Sequence, residues 1–151
     1  MYRVRPGVQH SVMKLPHATV QWAGDDLLLG TSPSGHAQVI DFRGERSAGP
    51  SPTELLLLSL GACGAADVIS ILQKKRQVVT AYRVEVKGER EAEYPRAFRR
   101  FEMKHIVRGR GVTEAAVARA IELSVNKYCG VAATVRPTAD IVTSFVIEEE
   151  P

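Results

Sequence analysis

Cys63 lies in Gly61-Ala62-Cys63-Gly64-Ala65-Ala66, and Cys129 lies in Lys127-Tyr128-Cys129-Gly130. A thiol attacks only as its thiolate, so the surroundings of each sulfur decide what it can do. Working together, the two could form a redox pair in which one sulfur is oxidised and the other closes a disulfide. Either could instead be a small buried apolar side chain. Two glycines beside Cys63 cost roughly 1 kcal/mol each in a helix relative to Ala, which a sequence tolerates where something must come close. That neighbour is either a packed element or a substrate.

The other reactive side chains offer less. His10, His17, His36 and His105 are scattered without ligand spacing, so no metal and no cofactor is expected. Glu54 has the type of a catalytic carboxylate but the position of a helix-capping one. Asp67 falls one helical turn after Cys63, where its charge would oppose a thiolate if the two side chains face each other.

The elements that must position these residues follow from pattern. His17 to Trp22 and Leu27 to Thr31 read as a hairpin around Gly24-Asp25-Asp26, and His36 to Phe42 as a third strand. Ser51-Pro52-Thr53-Glu54 is a helix start, with Ser as cap, Pro at the first helical position and Glu three residues after the cap. That helix is expected to reach Arg76, about 37 Å at ~1.5 Å per residue. Its first half is apolar almost all round, which calls for burial on most sides. Tyr82, Val84 and Val86 alternate with charged neighbours in a half-buried strand, and Arg100 to Arg108 is its expected antiparallel partner across a charged turn at 89–99. Thr113 caps a second helix to about Lys127, with Gly130 as its C-terminal cap. That places Cys129 at a negative helix end, which makes Cys63 the better nucleophile. Ile141 to Ile147 is the last strand.

Composition sets the class. With 44% hydrophobic and 25% charged residues the chain is a folded domain rather than a disordered one. The apolar run Leu55 to Ala66 is shorter than the roughly 18 residues of a membrane span. Nine basic residues face five acidic ones in 77–112, yet no zinc spacing or aromatic box accompanies them, so neither nucleic acid nor membrane is expected as a partner. Residues 1–16 read as an N-terminal extension without the apolar stretch of a leader, ahead of a domain over 17–151, and a cytoplasmic location is expected.

Taken together, Ser51-Pro52-Thr53-Glu54-Leu55, Gly61-Ala62-Cys63 and, 66 residues after that cysteine, Lys127-Tyr128-Cys129 resemble the OsmC/Ohr family over roughly 17–148. Residues 67–74 are especially similar to its YhfA-type branch. The resemblance implies an α+β fold in which a curved antiparallel sheet wraps around two long central helices. It also implies an intertwined homodimer with sites at the dimer interface. It further implies reduction of organic hydroperoxides, with Cys63 as the peroxidatic thiol, Cys129 as the resolving thiol, and a dithiol as reductant. The family's peroxidases place an activating Arg in the first hairpin turn and a Glu ten residues before the first cysteine. Here that turn is Gly24-Asp25-Asp26 and that position is Thr53, with Glu54 about 100° away round the helix. Arg43 and Arg46 are the candidate replacement cations, followed by Arg3 and Arg5. The rival reading is a redox sensor, or a dimer binding a small apolar or electrophilic ligand in its interface pocket, without turnover.

Overall fold

Short strands come first, then long elements. In the computed structural model, which describes residues 17–44 and 47–150, the chain is an α+β protein whose described residues fall into two compact units, up to Pro52 and from Thr53 onward. The expected extension 1–16, with Arg3 and Arg5, and the candidate cation Arg46 lie outside the described residues.

The first unit is an antiparallel sheet of β1 (Thr19–Trp22), β2 (Leu27–Thr31) and β3 (Ala37–Asp41) in that order. Its first turn uses Gly24 at φ 97° and Asp25 at φ 48°, the left-handed region that Gly and Asp enter most readily. Asp41 organises the segment that follows. Its buried carboxylate accepts from the backbone N–H of Gly44 at 2.7 Å and of Arg43 at 3.2 Å.

The second unit starts with α1 (Pro52–Lys74) and continues with the long strands β4 (Val78–Arg90) and β5 (Phe98–Arg110). These strands pair antiparallel, Val84 opposite His105 and Gly88 opposite Phe101. They run further into the charged segment than the alternation suggested. Exposed cross-strand pairs such as Arg99–Glu89 sit on the solvent side and do not oppose the ladder. Then come α2 (Glu114–Leu123), α3 (Gly130–Val135) and β6 (Asp140–Glu149). β6 runs parallel to β5, so this sheet is mixed and not antiparallel throughout. The helical connection from 111 to 139 is the reason: it is a crossover, and a crossover returns the chain in the same direction.

Leu60, Gly61, Gly64, Val68 and Leu72 form the buried face of α1. An added Cβ at Gly61 would sit 3.0 Å from Val86 Cγ2, and one at Gly64 3.0 Å from Met103 Cε. The close neighbours that the glycines admit are therefore side chains of β4 and β5. By length and composition alone α1 is also long and apolar enough to cross a bilayer, a test that core helices of soluble proteins pass as well. Only 28% of its most apolar window is buried within the chain, and Leu58 is 62% exposed.

Candidate functional site

The second helix does not reach Lys127 as an α-helix. α2 ends at Leu123, and Ser124–Tyr128 forms a π turn closed by Cys129 N–H donating to Ser124 C=O at 2.9 Å. Cys129 then leaves helical conformation, at φ −71° and ψ 105°, and becomes the N-cap of α3. Its Sγ accepts from Ala132 N–H at 3.3 Å. Gly130 is therefore the first residue of a new helix and not the C-cap of the preceding one. One misplaced residue reverses the local argument, because the sulfur meets a donor at a helix start. A π turn widens the backbone by one residue, and here it swings Cys129 inward.

Inward means toward α1. Cys63 and Asp67 occupy consecutive turns of that helix, four residues apart and hence on one face. The two sulfurs and a carboxylate oxygen of Asp67 all lie within 4.8 Å of one another. Ser124, at the start of the π turn, donates from Oγ to Asp67 Oδ2 at 3.0 Å and fixes the carboxylate. Sequence reading singled out both cysteines and the turn-spacing of Asp67. It missed Ser124, whose only signal was a polar residue on the buried face of an amphipathic helix.

The two thiols are in different environments. Cys129 is 3% exposed, packed with Leu60, Ala132 and Val135, whereas Cys63 is half-buried at the edge of the same cluster. Burial pushes the Cys129 thiol up to about 11, and its hydrogen bond with Cys63 pushes the same way. The Ala132 N–H pulls in the opposite direction and is outweighed. Cys129 is thus a protonated, sheltered thiol at neutral pH, and Cys63 is the one that solvent reaches.

Further down the same face of α1 runs an open groove of about 550 Å³. Asp67 stands at its thiol end, Ile71, Leu123 and Tyr128 form its apolar wall, and Lys74 and Lys75 lie at its other end. Of the candidate cations, Arg43 belongs to the first unit, where its Nε pairs with Asp26 Oδ1 at 3.1 Å. His105, expected at the surface or in a strand, is a buried strand residue. Its Nδ1 is hydrogen-bonded to the Tyr82 hydroxyl, and burial lowers its pKa to about 4.

A family model described as OsmC-like protein matches residues 44–144. The protein YhfA of Escherichia coli K12 is 42% identical over 130 residues, which covers 86% of this chain and 96% of that one. Among solved structures, a hypothetical protein from Aquifex aeolicus VF5 superposes with a TM-score of 0.82 at 30% identity, covering 92% of this chain and all of that one. The organic hydroperoxide resistance protein OhrB of Bacillus subtilis shares the fold, with a TM-score of 0.61 at 13% identity over 87% of this chain and 97% of its own.

Proposed function

The chain belongs to the OsmC-like protein family, and from that premise we propose that it is a cytoplasmic, homodimeric thiol peroxidase that reduces organic hydroperoxides through Cys63 and Cys129. The meeting of two cysteines distant in sequence, with their sulfurs within 4.8 Å, carries this reading. Cys63, the accessible sulfur, attacks the distal peroxide oxygen. The O–O bond breaks, the alcohol leaves with a proton, and Cys63 becomes a sulfenic acid. Cys129 then attacks the Cys63 sulfur, a disulfide forms, and water leaves. A dithiol reduces the disulfide by thiol exchange and is itself oxidised to a disulfide. Burial keeps Cys129 from meeting peroxide first, which leaves it the resolving step, where its proton departs with the sulfenic hydroxyl as the water that leaves. The groove along Ile71, Leu123 and Tyr128 offers the organic part of the peroxide an apolar wall.

One observation favours the rival reading of a redox sensor or small-ligand-binding dimer without turnover. Among the described residues of the second unit, the charged group grouped with the two sulfurs is the Asp67 carboxylate, and within the first unit Arg43 pairs with Asp26. A carboxylate beside a sulfur gives a developing thiolate no stabilisation. Titration with cumene hydroperoxide, followed by intact mass, separates the two. Turnover predicts stoichiometric loss of both thiols with a mass change of two hydrogens, no peroxide consumption in Cys63→Ser, and a trapped sulfenic acid in Cys129→Ser. Undiminished consumption in Cys63→Ser would sink the peroxidase reading. Slow oxidation without repeated turnover in the presence of a dithiol would establish the sensor.

A further inference from the structure

The donor set at the thiols suits a second chemistry that does not rest on peroxide reduction. The geometry points to a zinc site formed by Cys63 Sγ, Cys129 Sγ and an Asp67 carboxylate oxygen, open at a fourth position. Three donor atoms within 4.8 Å of one another are close enough for side-chain rotation to bring all three onto one ion. With Zn–S near 2.3 Å and Zn–O near 2.0 Å, tetrahedral ligand atoms sit about 3.5–3.8 Å apart. Two sulfurs select a thiophilic ion such as zinc over magnesium or calcium, which require oxygen ligands. The carboxylate supplies the third, harder donor.

The surroundings fit the same purpose. Ser124 Oγ holds Asp67 by one oxygen, and hydrogen-bonded carboxylates of this kind are the usual outer support of a metal ligand. Cys129 is anchored by its position between the π turn and α3, so one ligand is set by backbone. Asp67 opens on the solvent-exposed groove, which gives the ion a path in and leaves the fourth position to water. Binding replaces two thiol protons, which pass to solvent, so a dipositive ion meets three negative ligands. The zinc form and the disulfide form exclude each other because both use the same two sulfurs.

Cobalt(II), a spectroscopic substitute for zinc, tests the site on the reduced full chain under argon. The expected result is a thiolate-to-cobalt charge-transfer absorption that saturates at one ion per chain and is abolished by added zinc. Zinc should also slow maleimide alkylation of both cysteines in the unaltered protein, and a chelator should restore the rate; this readout needs no variant. Cys63→Ser and Asp67→Asn, checked for fold by circular dichroism, should each weaken binding at least about tenfold. Absence of the charge-transfer band, alkylation unaffected by zinc, or equal affinity in folded Cys63→Ser would overturn the proposal. Peroxide assays run in excess chelator keep this outcome separate from that of the peroxidase reading.

Discussion

Ser124 donates its hydroxyl proton to Asp67 at 3.0 Å, joining the π turn to the middle of α1 across 57 residues of sequence. Ser124 is 1% exposed, so this bond satisfies a polar group that has lost its water. It also ties the backbone that presents Cys129 to the helix that presents Cys63. Ser124→Ala is expected to destabilise the protein by about 1–3 kcal/mol, because the carboxylate loses a buried partner. Denaturant midpoints measure it, and a double-mutant cycle with Asp67→Asn should return a coupling of about 1 kcal/mol. Additive effects of the two substitutions would show that the bond does not hold these elements together.

The glycines of α1 make a contrasting case. A Cβ at Gly61 or Gly64 already meets a sheet side chain at 3.0 Å, so Leu at either position must displace Val86 or Met103. Overpacking of that kind costs about 1–3 kcal/mol, and more where the neighbour is itself buried, as Met103 is. Gly61→Leu and Gly64→Leu should therefore lower the thermal midpoint further than Cys63→Ser, which removes little volume from a half-buried position. Equal midpoints for all three variants would count against the close packing of α1 on β4 and β5.

Much of this arrangement was legible in local chemistry. Pro52 opens α1, and Thr113 caps α2 by accepting from Ala116 N–H, as the helix-start patterns indicated. Tyr82, Val84 and Val86 alternate as a strand whose inward face meets α1. The stretch around Cys129 was not legible, because periodicity cannot distinguish an α turn from a π turn when both keep apolar residues on one side. A single inserted residue made Gly130, the expected C-cap, the first residue of α3 and Cys129 its N-cap, which changed which backbone groups face the sulfur. The parallel return of β6 was hidden for another reason. Strand direction depends on the path of the whole 111–139 connection, and no single residue in it encodes that path.

Burial of His105 gives the fold a pH dependence. Its imidazole titrates near 6.5 when unfolded and at about 4 in the folded protein, where Val84 and Phe145 are its strand neighbours. Between those values the unfolded chain binds more protons than the folded one. Stability contributed by neutral His105 is therefore complete above pH 6.5 and is lost as pH falls toward 4. The slope approaches 1.4 kcal/mol per pH unit, with about 3 kcal/mol lost in all. Urea midpoints from pH 7 to 5 should show this decline, and His105→Gln should flatten it. An unchanged slope in that variant would assign the acid sensitivity to other groups.

The outward face of α1 predicts assembly into a dimer. Leu58 is 62% exposed, Ala62 and Ala66 continue the same stripe at four-residue spacing, and less than a third of the apolar window is buried within one chain. Each large aliphatic side chain left in water forgoes about 1.5–3 kcal/mol of burial. The described residues leave most of that apolar window uncovered. A second copy, contributing the same face about a two-fold axis, would bury both stripes at once. Light scattering at micromolar concentration should give about twice the 16.5 kDa chain mass, and the thermal midpoint should rise with protein concentration. Leu58→Asp places a charge in the centre of that face and should shift the mass toward a single chain. A concentration-independent midpoint together with a single-chain mass for the unaltered protein would show that α1 carries its exposed apolar face as a monomer.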